Sequence, residues 1–143
     1  STDPGVTCQQ QKELLDEEKS SELRTKIISV LGSAEIYSSD FSIVRLAEIA
    51  DSNQRYVSYV INHYLGKTFR SLLNEKRIAE ACRLLSNSDS SEKYTIDTIS
   101  AHVGFKSRAA FSVTFKNIVG LTPAEFRNAA KKNHQNRQSG ADS

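Results

Sequence analysis

Two segments of the chain carry Lys and Arg side chains without a single acidic one. They cover residues 52–74 and 100–124. Their cations are Arg55, Lys67 and Arg70 in the first segment and Lys106, Arg108 and Lys116 in the second. Such segments suit a surface that meets phosphates, because cations release counterions from a polyanion whereas carboxylates would be repelled by it. For one isolated segment, an ordinary solvated face is the more common explanation.

Both basic segments occupy the same place in a pattern that the chain contains twice. The pattern runs through Leu46-Ala47, Val57, Ile61 and Gly66-Lys67-Thr68, and again through Ile99-Ser100, Phe111, Phe115 and Gly120-Leu121-Thr122. The copies are 53 residues apart at their start and 54 apart from Val57 onward, so the second has one extra residue in its central turn. This duplication weakens the solvated-face explanation and predicts two copies of one function.

The net charge of +2 is unevenly distributed along the chain. Residues 1–51 hold five Lys/Arg and ten Asp/Glu, a balance of −5. Residues 52–143 hold fourteen Lys/Arg and seven Asp/Glu, a balance of +7. The part with most of both copies is therefore the positive part, which favours a polyanionic partner.

Length and composition narrow the range of functions. A chain of 143 residues with 38% hydrophobic residues has room for one small domain or two minimal ones, and little bulk for a catalytic cleft. No apolar run approaches the ~18 residues of a membrane helix and no secretory leader is present, so we expect a cytoplasmic protein without membrane contact. Cys8 and Cys82 lie in dissimilar settings, which favours free thiols. His63, His102 and His134 have no partner at ligand spacing, so we expect neither metal nor cofactor.

Apolar residues recur at helical spacing through most of the chain, without a competing strand pattern. We predict an all-α fold of about seven helices plus an N-terminal helical extension. The predicted segments are a disordered leader or linker remnant (1–12), an N-terminal helical segment (13–33), a first helix-turn-helix subdomain (34–67), a connecting helix (68–86), a second helix-turn-helix subdomain (87–130) and a disordered tail (131–143).

Each copy of the pattern has the layout of a helix-turn-helix: a short helix, a tight turn and a second helix with an exposed polar face. Small residues such as Ala47 and Ser100 let the two helices cross closely, while Val57 or Phe111 anchors the second helix. That second helix can enter a DNA major groove, whose ~12 Å width admits one helix. Helix pairs of this spacing also occur in bundles that have no role with nucleic acid.

Two turns carry more specific motifs, Gly104-Phe105-Lys106-Ser107 and Gly120-Leu121-Thr122-Pro123-Ala124-Glu125-Phe126-Arg127. With the stretches 56–62 and 74–81, they resemble the DNA-binding domain of AraC-type transcriptional regulators over residues 40–128. The style is most similar to members from Bacteroidetes, in which this domain often ends a larger sensory protein. The resemblance implies two subdomains joined by the long helix, which bind duplex DNA as a transcription regulator. It also implies an activator role, with RNA polymerase and an upstream sensor domain as partners.

We predict that the second helix of each copy approaches base edges. The candidate base contacts are Arg55, Ser58, Tyr59 and Asn62 in the first copy and Ser107, Arg108, Ser112 and Val113 in the second. The two arginines are the strongest candidates, because a guanidinium can make two hydrogen bonds to guanine. Family members often have Arg or Lys where this chain has Tyr59 and Val113. The reading helix of the second copy also offers a small apolar face, Ala109, Ala110 and Val113, so it is expected to contribute thymine-methyl contact and phosphate anchoring more than hydrogen-bonded readout. The candidate phosphate contacts are Lys67, Thr68, Arg70, Lys106, Lys116 and Thr122.

The predicted connecting helix of about 18 residues would be ~27 Å long. It can hold the two reading helices near the ~34 Å spacing of successive major grooves on one face of the duplex. One chain would then bind two adjacent grooves without forming a dimer.

Structural explanations are preferred for several other residues. Phe105, Phe111, Phe115 and Phe126 are assigned to a core, because Phe111 and Phe115 keep helical spacing. Arg77 is expected to bond to a carboxylate or a helix end. The acidic N-terminal helix is either a brace on the first subdomain or a coupling segment to a sensor.

Two other classes of function stay open besides a sequence-specific DNA binder. An enzyme, such as a DNA-repair alkyl acceptor, would need an activated cysteine in a metal-ligand cluster, which Cys8 without another cysteine nearby cannot supply, so we expect no enzymatic activity. A helical protein-interaction module with only non-specific DNA affinity would use the acidic N-terminal segment.

Overall fold

The computed structural model describes residues 8–87 and 94–141, with side chains for residues 16–87 and 94–133. Every regular element in this part of the chain is helical. The elements are α1 (Cys8–Leu31), a 3-10 turn (Ala34–Tyr37), α2 (Ile43–Ile49), α3 (Gln54–Val60, continued by a π turn over Ile61–Leu65), α4 (Phe69–Ser86), α5 (Ile96–His102), α6 (Arg108–Val119) and α7 (Pro123–Ala141). The predicted all-α fold is confirmed.

Short polar side chains begin the helices that follow tight turns. Ser42, Asn53, Thr95 and Ser107 are the N-caps of α2, α3, α5 and α6, and each accepts a hydrogen bond from the backbone N–H three residues further on. The π turn after α3 ends at Gly66, whose φ of 66° is a left-handed conformation that glycine adopts without strain. The local sequence therefore determines where α3 and α6 begin.

The first of two compact units comprises the described residues up to Ser33 together with Ser42–Phe69. Within it, α1 contacts α2 and α3, and α2 packs against α3. Its buried apolar residues are Leu23, Ile27, Leu31, Leu46, Ala47, Ala50, Val57, Val60 and Ile61. The apolar face of α1 thus completes the core beneath the first helix-turn-helix.

The second unit comprises Ala34–Phe41 and the described residues from Arg70 onward. Its core contains Ile78, Ala81, Leu84, Leu85, Ile99, Val103, Phe111 and Phe115. The Phe105, Phe111, Phe115 and Phe126 rings follow one another at 5.4 to 5.6 Å between centroids, in edge-on or tilted orientations favoured by aromatic pairs. Their assignment to a core is confirmed.

Two helices are longer than the predicted segmentation. The first begins at Cys8 instead of near residue 13, and the last continues to Ala141, through most of the stretch predicted to be a disordered tail. Gln, Lys and Glu at 9–13 and Ala and Lys at 129–132 propagate a helix at little cost, so neither helix has a local signal to begin or end at the predicted boundary. The leader prediction for residues 1–7 lies outside the described residues, as do residues 88–93 of the predicted second subdomain.

The segment Ala34–Phe41 also differs from its predicted place. We assigned it to the first helix-turn-helix subdomain, but it packs in the second unit. Arg77 of α4 explains this, because its Nε donates to the Ile36 carbonyl at 2.7 Å and its Nη2 to the Ser38 carbonyl at 2.8 Å. These bonds tie the segment to α4, which lies in the second unit from Arg70 onward.

Candidate nucleic-acid interface

The helix α3 has one buried and one outward side. Val57, Val60 and Ile61 are completely buried, so the opposite side of the helix must face away from the core. The four candidate base contacts Arg55, Ser58, Tyr59 and Asn62 follow the spacing i, i+3, i+4 and i+7, and all except the half-buried Ser58 are exposed. The structure therefore places them together on the outward side of one helix.

The same helix carries an aromatic row, which we define as Tyr56, Tyr59, His63 and Tyr64. The Tyr59 ring lies nearly parallel to the Tyr56 ring at 6.4 Å and to the His63 ring at 5.3 Å between centroids. The Tyr64 ring meets His63 edge-on at 4.7 Å. An open groove lies beside the row, lined on the α1 side by Asp16, Glu17, Lys19 and Ser20. The candidate reader Tyr59 is thus one member of an ordered set of rings.

The helix α6 is anchored through Phe111 and Phe115, both completely buried. On its other side Arg108 is exposed, Ser112 is half-buried and Val113 is 62% exposed. The hydroxyl of Ser107 accepts a hydrogen bond from the Ala110 N–H at 3.1 Å, so this candidate base contact also serves as the N-cap.

Arg108 has an acidic neighbour on α5. Its Nε lies 3.4 Å from Asp97 Oδ1, and both side chains are more than half exposed. An exposed pair of this kind contributes only about 0–1 kcal/mol, so the guanidinium can exchange Asp97 for another acceptor at little cost. Asp97 therefore contacts the Arg108 side chain but does not immobilise it.

The candidate phosphate contacts lie mainly at helix starts. Lys67, Thr68 and Arg70 surround the start of α4, and all three are exposed. In the second unit Lys106 and Lys116 are exposed as well. Backbone N–H groups at a helix start attract anions, and nearby cations add to this attraction.

Thr122 takes part in a capping box at the start of α7. Its Oγ1 accepts from the Glu125 N–H, and its own N–H donates to Glu125 Oε1, both at 3.1 Å. Hydrogen bonds from Thr122 lower the pKa of the Glu125 carboxyl, and the charge of Lys116 lowers it further. A phosphate at this helix start would therefore meet an ionised carboxylate, which sequence reasoning did not take into account.

The match to a known family covers both copies of the helix-turn-helix pattern. A family model described as a helix-turn-helix domain matches residues 46–129, which is more than half of the chain. The chain is also 32% identical over 89 residues to the arabinose operon regulatory protein of Escherichia coli K12, covering 62% of this chain and 29% of that protein. The chain belongs to the AraC-type helix-turn-helix family. This family consists of DNA-binding transcription regulators, as the resemblance predicted.

Solved structures of AraC-type domains agree with the fold. The C-terminal domain of AraT, a response regulator from Geobacillus stearothermophilus, is 27% identical with a TM-score of 0.64, over 76% of this chain and 84% of that one. The DNA-binding domain of the global transcriptional factor AdpA, solved with a target DNA, is 25% identical with a TM-score of 0.66, over 78% and 94%. The chain spans about a third or less of the length of the curated relatives it matches.

The Gly-Phe-x-Ser motif of this AraC-type domain encloses Arg77. A Cβ atom at Gly104 would lie 2.8 Å from the Arg77 Nε, and the Phe105 ring centre lies 5.8 Å from the guanidinium carbon. Burial lowers the pKa of Arg77, and its bonds to the Ile36 and Ser38 carbonyls compensate the buried charge. The sequence left a carboxylate or a helix end as the partner of Arg77. The observed partners are backbone carbonyls at and just beyond the 3-10 turn, so the helix end is the correct alternative.

Sequence reasoning missed two features near the AraC-type reading helices. One is the aromatic row, although the spacing Tyr56, Tyr59, His63 was a visible signal of neighbours on a helix. The other is Asp97, which precedes Arg108 by eleven residues and had no local signal pointing to it.

Other kinds of site find less support in this AraC-type domain. Cys82 is half-buried, and burial raises the pKa of its thiol, which is the opposite of an activated nucleophile. The side chain of Cys8 lies outside the described residues. Among residues 8–87 and 94–141, no helix is both long and apolar enough to cross a membrane.

Proposed function

We propose that this chain is a sequence-specific, double-stranded DNA-binding module that reads two adjacent major grooves with α3 and α6. The observation that carries the proposal is the repeated construction of these helices. Each begins at a polar N-cap, buries one apolar side and carries an exposed arginine in its first turn. The AdpA domain, whose structure includes a target DNA, supports DNA binding by this fold.

In this proposal α3 makes most of the hydrogen-bonded readout. Arg55 would take a guanine through two hydrogen bonds, while Tyr59, Asn62 and Ser58 contact neighbouring bases. On α6, Arg108 would leave Asp97 for a base edge, since the exposed pair contributes only about 0–1 kcal/mol whereas a bidentate contact to guanine discriminates by about 1–3 kcal/mol. Val113 would contact a thymine methyl group, with Ser107 and Ser112 beside it.

Phosphate contacts would fix the register of both helices on the duplex. Lys67, Thr68 and Arg70 would serve the first reading helix, and Lys106, Lys116 and Thr122 the second. The eighteen-residue helix α4 lies between the two reading helices in the sequence.

We further propose that the module is the output domain of a larger sensory regulator, acting in the bacterial cytoplasm as an activator that contacts RNA polymerase. Two findings support this: the curated relatives are longer than this chain, and AraT is a response regulator. No enzymatic step is part of this role.

The decisive experiment is selection of bound sites from a pool of random duplexes by the full chain. We expect an asymmetric site about two helical turns long, because two unequal helices would read successive grooves. Arg55→Ala and Arg108→Ala should each abolish the preference at a different base pair, with about 5- to 100-fold loss of discrimination.

A matched control for the two arginine variants is Arg83→Ala. Arg83 is an exposed α4 residue paired with Glu80 and is not a candidate DNA contact. Its site preference should equal that of the unaltered chain. Binding to all duplexes alike at low salt would reject the proposal and favour a helical protein-interaction module with only non-specific DNA affinity.

A further inference from the structure

The aromatic row on α3 is held at both ends by α1. At one end the Ser20 Oγ lies 2.8 Å from the Tyr56 Oη, within hydrogen-bond distance. At the other end the guanidinium carbon of Arg24 lies 4.6 Å from the centre of the Tyr64 ring, which is a cation–π contact. Ser20 and Arg24 are four residues apart, so they lie on the same face of α1, one turn apart.

Tyr59 lies between these two ends and is the member of the row best placed to meet DNA. Tyr59 is 53% exposed, yet its ring lies within 4° of parallel to the Tyr56 ring and within 8° of parallel to the His63 ring. An exposed tyrosine without such neighbours would exchange among rotamers. A ring with parallel rings beside it is ordered before DNA arrives and loses less side-chain entropy on binding.

The Ser20 side chain fixes the first ring of the row. Ser20 is only 6% exposed, although it is polar and lies on a helix that exposes most of its charged residues. A buried hydroxyl needs a hydrogen-bond partner, and the phenol of Tyr56 supplies it. The position of the Tyr56 ring, and with it that of the Tyr59 ring beside it, is therefore coupled to α1.

We infer that Ser20 is a positioning residue for base reading by Tyr59 and acts through its hydrogen bond to Tyr56. The inference rests on the proposed function, because it requires that Tyr59 meets a base. Arg24 secures the other end of the row. The helix α1 thereby influences which base pair is preferred at one position, and it does so through the side chains of α3.

The test begins by locating the base pair that Tyr59 reads, using site selection by the full chain and by Tyr59→Ala. Ser20→Ala and Tyr56→Phe each remove the hydrogen bond between Ser20 and Tyr56. Alanine is compatible with helix α1, and phenylalanine keeps the aromatic ring at position 56. Both should lower discrimination at the Tyr59 base pair by about three- to tenfold, and change other positions less than about twofold. The double variant should show no further loss, because both substitutions remove the same bond.

Ser21→Ala is the matched control, since it makes the same chemical change at the exposed neighbouring position of α1. Its preferences should equal those of the unaltered chain. Thermal unfolding of each variant shows whether it folds. If Ser20→Ala does not fold, the result for Tyr56→Phe decides the test.

Three results would overturn the inference while leaving the proposed function intact. The first is a uniform loss of affinity at all positions, which a purely structural bond would produce. The second is unchanged preference in Ser20→Ala and Tyr56→Phe, and the third is unchanged preference in Tyr59→Ala. Absence of site selection by the unaltered chain would instead reject the proposed function, and the inference with it.

Discussion

Among single residues, Gly104 and Gly66 separate two reasons for which a turn requires glycine. Gly104 has a φ of 104°, and a Cβ atom there would lie 2.8 Å from Arg77 Nε and 3.0 Å from the Tyr37 carbonyl oxygen. Gly66 has a φ of 66°, but a Cβ atom there would meet nothing within 4 Å. A side chain at Gly66 is disfavoured by backbone conformation alone, whereas one at Gly104 also displaces a buried arginine.

Replacing each glycine by alanine should therefore give unequal losses of stability. Gly66→Ala should lower the free energy of unfolding by about 1–2 kcal/mol, the cost of a left-handed alanine. Gly104→Ala should cost about 1–3 kcal/mol more, because Arg77 must give up its bond to the buried Ile36 carbonyl. Urea denaturation of both variants measures the difference. Equal losses would show that Arg77 moves aside without cost.

Among the elements, α7 begins with a capping box whose strength depends on charge. The N–H of Thr122 donates to the Glu125 carboxylate, and hydrogen bonds from Thr122 are the main reason that the pKa of this carboxyl lies below its ordinary value of 4.5. A group with a lowered pKa in the folded state contributes stability above its ordinary pKa. That contribution is lost as the pH falls through the lowered value.

Glu125→Gln should reveal this pH dependence. Glutamine keeps an acceptor oxygen for the cap but carries no charge, so the variant should be less stable than the unaltered chain near pH 7. The difference in melting temperature should begin to shrink near pH 4.5 and be lost as the pH falls through the lowered pKa, where the glutamate of the folded chain becomes protonated. Glu22→Gln, on the exposed side of α1 and away from the helix starts, is the control. A difference that stays constant between pH 7 and pH 3 would contradict a charge-dependent cap.

For the whole molecule, the decisive property is the concentration of positive charge after residue 51. Residues 52–143 carry a balance of +7, and the candidate phosphate contacts all lie within them. Each cation that neutralises a phosphate releases counterions, so affinity should fall steeply with salt. This dependence is independent of sequence and therefore differs from base reading.

Alanine substitution of single cations should change the salt dependence in a countable way. Replacing Lys67, Arg70, Lys106 or Lys116 should each flatten the slope of log affinity against log salt by about one unit. The loss should be the same for selected and random duplexes. Lys26→Ala, on α1 in the acidic part of the chain, should leave the slope unchanged. A loss confined to the selected site would assign that residue to base reading instead.

Much of the fold could be predicted because its signals are local. Asn53 and Ser107 start the reading helices, and Phe111 and Phe115 lie one helical turn apart, so caps and spacing alone place these elements. The outward side of α3 follows from the same periodicity. These features need no information about distant parts of the chain. The motifs in the two turns also made the AraC-type family recognisable from the sequence.

The tertiary structure decided what depends on residues far apart in sequence. Arg77 draws Ala34–Phe41 into the second unit through a bond to Ile36, 41 residues away, and Ser20 meets Tyr56 across 36 residues. Nothing in the local pattern of either partner specifies the other, because such pairs form only once helices have packed. The sequence by itself thus determined the helices, their caps and the sides they bury, while only packing determined which segment joins which unit and which side chains order the reading helix.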